Sequence, residues 1–106
     1  MWNVTGTNLQ MAEGDYGLKL PVTITGPTFS SHDYVKIVFK TAPNADEILA
    51  KDFNEIADNT VDLELTEAES ALFPVGSYCY RLDWYQSGAF MCNIIPISSF
   101  KVVDKA

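Results

Sequence analysis

The amino-acid sequence predicts an all-β domain, folded as a two-sheet antiparallel sandwich of about seven strands. Short segments in which apolar and polar residues alternate recur along the chain, and Gly, Pro, Ser and Asn residues cluster between them. The chain has 106 residues, 47% of them hydrophobic, which is enough for one core but too few for two domains with a core each. We therefore expect residues 1–106 to form a single domain.

The alternation of apolar and polar residues predicts where the first strands lie. A short one is expected around Leu9 and Met11. Pro21, inside the next one, lacks a backbone N–H and therefore favours an edge position. The four strands that follow the first one are predicted to span residues 18–24, 35–40, 48–53 and 61–65.

One helical turn is expected directly after the strand at 61–65. Thr66-Glu67-Ala68-Glu69 matches a capping box, in which the Thr66 hydroxyl and the Glu69 carboxylate each accept a bond from the other residue's amide. Pro74 disfavours helical backbone at the residue before it. The turn is therefore predicted to cover residues 67–72 and to stop before this proline.

A long hairpin is predicted from Gly76 onward. Ser87-Gly88 is expected to form its two-residue loop, with Gly88 at positive φ, and Pro96 indicates a bulge farther along the second strand. The first strand would turn alternate side chains to the core and to the outside. The core set is Tyr78, Tyr80, Leu82 and Trp84, and the outer set is Cys79, Arg81, Asp83 and Tyr85.

This register also predicts the state of the two cysteines. Counting outward from the loop places Cys92 opposite Asp83 and Cys79 opposite Pro96. The four-residue offset, at about 3.3 Å per residue, separates the two cysteines by roughly 13 Å, which is beyond the reach of a disulfide. We therefore expect free thiols.

Tyr78 stands where immunoglobulin-like sandwiches place a tyrosine corner, just inside a strand that follows a capped helical turn. Its hydroxyl would donate to a backbone carbonyl a few residues upstream, and Leu72 and Gly76 would help to build the corner. The alternative is that Tyr78 is an ordinary core aromatic. The cysteine pair of antibody domains is absent, because Tyr80 occupies the position two residues after Tyr78. The sequence thus predicts an immunoglobulin-like sandwich that is not of the antibody type.

Four segments carry a family resemblance: EGDYGLKLP at 13–21, LELT at 63–66, PVGSYCYRL at 74–82 and FKVVD at 100–104. Together they resemble small β-sandwich proteins of tailed bacteriophages and prophages, in particular the N-terminal immunoglobulin-like domain of phage baseplate upper proteins. The resemblance implies a virion structural protein that is synthesised in the bacterial host cytoplasm. It also implies action through contacts with other virion proteins or copies of itself, without a cofactor. Such baseplate proteins continue past this module. The resemblance is therefore compatible with two assignments, a tail or baseplate subunit and a capsid-decoration subunit.

Composition excludes several other partners. Seven basic and fourteen acidic side chains give a net charge of -7, which opposes binding to nucleic acid and to anionic membranes. The sequence shows neither a basic and apolar leader nor an apolar run of about eighteen residues. We therefore expect a protein that is made in the cytoplasm and stays soluble there.

Residues with catalytic potential are sparse. His32, the only histidine, lies in Ser30-Ser31-His32-Asp33, and consecutive residues cannot adopt the geometry of a catalytic triad. Nine of the fourteen acids fall between residues 46 and 69, where Asp46, Glu47 and Asp58 are the residues that would hold calcium if they converged. Their spacing matches no EF-hand loop, so a solvated acidic face is the preferred interpretation. We expect no catalytic residues, no metal and no cofactor.

The outer side of the last hairpin is the predicted interaction surface. Aromatic and aliphatic side chains there are too apolar for a surface exposed to water alone. The alternative is a one-residue slip or a bulge, which would turn Phe90 and Ile94 into the core. A rival function is a carbohydrate- or cell-surface-binding module that uses exposed Trp and Tyr residues. The predicted interface residues are Tyr34, Val38, Tyr85, Phe90 and Ile94.

Overall fold

Strands dominate the computed structural model, which describes residues 3–6, 8–17, 19–24, 33–54, 56 and 59–104. Within these residues the chain forms eight strands and one helical turn, α1 (Glu67–Ser70). The strands are β1 (Asn3–Thr5), β2 (Asn8–Ala12), β3 (Leu20–Thr23), β4 (Asp33–Lys40), β5 (Glu47–Phe53), β6 (Thr60–Leu63), β7 (Gly76–Gln86) and β8 (Ala89–Val103).

Two sheets pack as a β-sandwich, which confirms the predicted fold class. The larger sheet has the order β1-β2-β8-β7-β4-β5, and the smaller sheet pairs β3 with β6. The antiparallel neighbours β8, β7, β4 and β5, with the helical turn before β7, reproduce the arrangement of one sheet of immunoglobulin-like domains. One detail differs from the predicted antiparallel arrangement, because β2 runs parallel to β8. The eight strands of the described residues divide six to two between the sheets.

The core lies between the sheets and follows the predicted alternation. Val35, Ile37 and Phe39 on β4 are at most 2% exposed, because every second side chain of this strand points inward. Pro21 is exposed on β3, which pairs only with β6 among the described strands, as its predicted edge position requires. Other core residues are Leu9, Met11, Ile24, Val61, Leu63, Leu65, Phe73, Tyr80, Leu82, Phe100 and Val102.

Lys51 joins the sheets at the β5 side of the sandwich. Its side chain leaves β5 on the inner side, and its Nζ donates to the Glu64 carbonyl at 2.8 Å and to Glu69 Oε1 at 2.6 Å. Burial alone would raise the pKa of Glu69, but the hydrogen bonds from Lys51 and Thr66 and the lysine charge lower it below its ordinary 4.5. One lysine therefore ties the larger sheet to the helical turn that follows β6.

The helical turn forms as predicted, with both bonds of the capping box. The Glu69 amide donates to Thr66 Oγ1 at 3.2 Å, and the Thr66 amide donates to Glu69 Oε1 at 2.8 Å. The α-helical residues end at Ser70, and Leu72 still donates its amide to the Glu69 carbonyl. The structure thus places the turn inside the predicted range.

Tyr78 makes the bond that a tyrosine corner requires. Its hydroxyl donates to the Pro74 carbonyl at 2.6 Å, and its ring packs edge-on against Phe73 with centroids 5.3 Å apart. Burial and the negative charge of Glu13 raise the pKa of Tyr78, which keeps the hydroxyl protonated as a donor. Leu72 does not supply the buried side chain of this corner. It is 47% exposed, whereas Phe73 is 1% exposed because the turn after α1 points it inward.

Gly76 lies under the tip of the Tyr78 ring. A Cβ added at this position would be 3.6 Å from the Tyr78 hydroxyl, which is an ordinary contact distance. Space alone therefore does not demand glycine here, and the predicted structural role of Gly76 has no steric basis.

The hairpin loop is the predicted one, but the register drifts beyond it. Ser87 and Gly88 have φ values of 49° and 86°, and Tyr85 faces Phe90 as expected. Three register shifts then follow, each adding one residue to β8 relative to β7. The predicted partners of the cysteines are therefore wrong. Cys92 faces Trp84, and Cys79 faces Ser99.

The bulges move the two cysteines farther apart and leave both free. Their offset along β7 becomes five residues, which corresponds to roughly 16 Å. Cys79 is buried and Cys92 is exposed. Titration with a thiol reagent should therefore detect one reactive group in the native protein and two after denaturation without reductant. Finding none after denaturation would contradict the fold.

The corner predicts an asymmetric effect of two tyrosine substitutions. Tyr78→Phe leaves the Pro74 carbonyl without its donor, which should cost about 1–2 kcal/mol. For a domain of this size the Tm should fall by roughly 5 °C or more in a calorimetric scan. Tyr85→Phe is the control, because it retains an aromatic ring in the outer stack. Equal losses of Tm in the two variants would contradict the corner.

The Lys51–Glu69 pair predicts a stability difference that depends on pH. Because the pKa of Glu69 is lowered on folding, its stabilisation is present above pH 4.5 and is lost as the pH falls through the lower native value. Glu69→Gln keeps a capping-box side chain but removes the charge, and it should cost about 1 kcal/mol near pH 7. Urea unfolding of both proteins should show this gap shrinking toward pH 3. A gap that does not depend on pH would exclude the ion pair as its cause.

Candidate interaction surface

The side of the larger sheet that faces away from the core is called the outer face. Residues that pair across antiparallel strands lie on the same face, so the register defines two rungs on it. The first rung crosses β4, β7 and β8 as Tyr34, Tyr85 and Phe90, and the second crosses them as Lys36, Asp83 and Asn93. We call these six residues, together with Arg81, Pro96 and Ile97, the outer patch.

The first rung is a continuous aromatic contact. The rings of Tyr34 and Tyr85 stack with centroids 5.2 Å apart and planes 7° apart. Phe90 meets Tyr85 edge-on at 5.7 Å, and Lys36 Nζ lies 5.0 Å from the Tyr85 ring centre. These contacts leave the two tyrosines half-buried, whereas Phe90 is 56% exposed at the end of the row. Ring contacts therefore hold the Tyr34 end of the row in place, and the Phe90 end is open to solvent.

The second rung contains a buried carboxylate. Asp83 is 3% exposed although it points away from the core. It accepts bonds from Arg81 Nε at 2.9 Å and from Asn93 Nδ2 at 2.8 Å. The Asn93 amide also donates to the Ile95 carbonyl at 2.9 Å, which fixes its orientation. The charge and hydrogen bonds compensate the desolvation of Asp83, so a preformed polar network lies beside the aromatic row.

A shallow concavity of about 460 Å³ connects the two rungs with the bulged part of β8. Pro96 and Ile97 form its far wall, where β8 contributes two residues against Arg81 alone on β7. Phe90 and Ile97 on its rim are 56% and 43% exposed, and Met91 beside Phe90 is 45% exposed. Large apolar side chains that are grouped and exposed in this way are typical of a binding surface.

The structure brings together three of the five predicted interface residues. Tyr34, Tyr85 and Phe90 form the aromatic row, so Phe90 does not turn inward. Val38 lies on the same face, opposite Ala50 and Arg81, but it is 1% exposed and is closed to a partner.

Ile94 is not part of the outer patch, because it packs against the core cluster. It is the extra residue at one of the register shifts, where β8 departs from simple alternation. Cys92 follows an earlier register shift and lies opposite Trp84, so it is not part of the outer patch either. Asn93 and Ile97 occupy the outer positions instead, and only the proline between them signalled a change of register in the sequence. Binding through the patch stays a prediction.

Other candidate sites receive no support from the described residues. His32 and Asp58 lie outside the part of the chain that the structure describes, and Asp46 and Glu47 are exposed beside the start of β5. No three His, Cys, Asp or Glu side chains among the described residues are grouped so as to hold a metal ion. No helix within the described ranges has the length and apolar character to cross a membrane.

Comparison with known proteins identifies no relative of the chain. No protein-family model, curated protein or solved structure matches the chain. What the outer patch can bind is therefore inferred from its own geometry and chemistry.

Proposed function

We propose that this protein is a structural component of a tailed-phage or prophage virion, in the tail, the baseplate or the capsid decoration. It acts without catalysis or a cofactor, by binding another virion protein through the outer patch. The observation that carries the binding proposal is the exposed Phe90 beside the fixed Arg81–Asp83–Asn93 network. The virion assignment depends on the resemblance carried by residues 13–21 and 74–82.

Residue types in the outer patch favour a protein partner. Tyr, Phe, Met and Arg are enriched in the cores of protein interfaces, and binding energy concentrates where such residues are already held in place. Tyr85 is fixed by Tyr34 and Phe90, and Arg81 is fixed by Asp83. Their side chains would lose little conformational entropy on binding, which raises the affinity that a given contact area can give.

The charges on the outer face indicate which side chains the partner should present. Four of the seven basic residues of the chain lie on it, although the chain as a whole carries -7. Asp83 is neutralised by Arg81, and Lys36 lies 4.0 Å from Asp52. The fitting partner presents an apolar side chain to the concavity and acidic or neutral residues around it. The four basic residues are Lys36, Lys40, Arg81 and Lys101.

A carbohydrate-binding module is the second candidate, and one observation favours it. Aromatic rings beside Arg, Asp and Asn side chains in a shallow concavity are a combination that sugars can use. However, the ring of Tyr85 is already contacted by Tyr34, Phe90 and Lys36, so it has little free surface for a sugar to stack on. The Trp84 indole donates to Asp33 and is half-buried. The contacts therefore support protein binding better.

The proposal predicts that charge at the apolar rim prevents assembly. Particles produced by the phage or prophage that encodes the chain should contain the wild-type protein, as measured by quantitative mass spectrometry of purified virions. Phe90→Glu should reduce incorporation at least about tenfold, because a carboxylate cannot be buried unpaired in an apolar contact. Tyr85→Glu should act in the same direction. Circular dichroism and Tm of the Phe90 variant should match wild type, since this side chain is 56% exposed.

Tyr16→Glu is the matched control. Tyr16 is 52% exposed, but it lies in the loop after β2, toward the opposite end of β8 from Phe90. This variant should be incorporated normally. Unfolding of the Phe90 variant, or equal incorporation of all variants, would contradict the proposed surface. Binding of the isolated protein to a glycan array with loss in Phe90→Glu would favour the carbohydrate alternative.

A further inference from the structure

The larger sheet ends at β5, which pairs only with β4 among the described strands. β5 has seven residues, whereas β1 at the opposite end of this sheet has three. In the smaller sheet, β3 has four residues and includes Pro21, and β6 has four. An unpaired strand edge presents N–H and C=O groups that can pair with another chain. Among the described strands, β8 also leaves residues 89–99 without a strand partner on the side away from β7, but this stretch contains Pro96 and three register shifts. The β5 edge is therefore the longest regular one in the described part of the molecule.

Two features that protect strand edges, a proline and a bulge in the middle of the strand, are absent from β5. The ammonium of its one lysine, Lys51, is held by the Glu64 carbonyl and the Glu69 carboxylate. A register shift disturbs only the end near Glu47. The regular stretch Leu49–Phe53 is long enough for several bonds to an added strand.

A cleft of about 240 Å³ lies beside this edge, between β5 and β6. Phe53 and Val61 give it apolar surface, and Asp52 and Asp62 are exposed on its two sides. A strand added to β5 would lie about 4.8 Å away from it. Its backbone would use the free edge, and one row of its side chains would enter the cleft.

The charges around the cleft determine which kind of added strand is attracted to the β5 edge. The described residues between 46 and 69 include seven acidic side chains and a single basic one. Lys19 and Lys51 also line the cleft, but Asp52, Asp62 and Glu64 leave its lining with a net negative charge. A second copy of the chain would bring another segment of the same sign to this edge and would be repelled. A strand with positive side chains would be attracted.

We propose that the free edge of β5 binds an extended, lysine- or arginine-rich segment of another protein as an additional strand. Main-chain hydrogen bonds to Leu49–Phe53 supply the affinity, and the carboxylates of Asp52 and Asp62 select the positive side chains. This surface is separate from the outer patch, because it is the edge of the sheet rather than its face.

The test uses three labelled synthetic peptides of equal length, measured by fluorescence anisotropy at low ionic strength. The first alternates Lys and Val, the second replaces every other Val with Pro at the same charge, and the third replaces Lys with Glu. The Lys-Val peptide should bind about tenfold or more tightly than the proline peptide, because proline cannot pair along an edge. The Glu-Val peptide should show no binding. Hydrogen exchange of the amides in residues 47–53 should slow when the Lys-Val peptide is bound.

Paired variants locate the site. Asp62→Asn removes a carboxylate at the cleft and should weaken binding of the Lys-Val peptide about threefold or more. Glu67→Gln removes a charge of the same sign from α1, outside the cleft lining, and should change the affinity much less, as should Phe90→Glu. Equal binding of the proline peptide would show attraction by charge alone and would overturn the proposal. Absence of binding, binding of the Glu-Val peptide, or protection elsewhere than residues 47–53 would overturn it as well.

Discussion

Three phenylalanine rings hold the larger sheet and the segment after the helical turn together. Phe39 on β4 lies 4.9 Å from Phe100 on β8 and 5.0 Å from Phe73 after α1, and the last two are 5.3 Å apart, all measured between ring centroids. Each of the three is at most 1% exposed. Since each buries a large apolar area and contacts the other two, the strands that carry them cannot shift independently. The Tyr78 ring packs on the same group at 5.3 Å from Phe73, so the corner bond is set by this core.

Packing on the inner side of the larger sheet also determines its outer side. With Tyr80 and Leu82 fixed in the core, alternation obliges Arg81, Asp83 and Tyr85 to point outward. Asp83 is buried there because Arg81 and Asn93 close over it, not because the core contains it. The proposed binding surface is thus a direct consequence of the core register, and its polar network is fixed before any partner arrives.

Alternation and capping were sufficient to predict most of the fold. The capping box at Thr66 and Glu69 depends on four adjacent residues, and the strand at 35–40 depends on a period of two, so each is a local property. The register of β8 is not local. It depends on where three extra residues bulge against β7, and Met91 and Ile94 resemble their neighbours in type. Phe90 lies before the first bulge and was placed correctly, whereas Ile94 lies beyond it and was not.

The two proposed surfaces differ in charge as well as in geometry. The outer face carries Lys36, Lys40, Arg81 and Lys101, with Glu47, Asp52 and Asp83 beside them, whereas the cleft next to β5 is lined by three acidic and two basic side chains. Net charge is therefore slightly positive on the outer face and slightly negative at the cleft, so the two proposed sites favour partners of different charge. Lys51 keeps the edge in position by binding Glu64 and Glu69, so the acidic side is part of the folded framework. Binding at both proposed surfaces would let the protein join two different partners, which is what an adaptor within a larger assembly has to do.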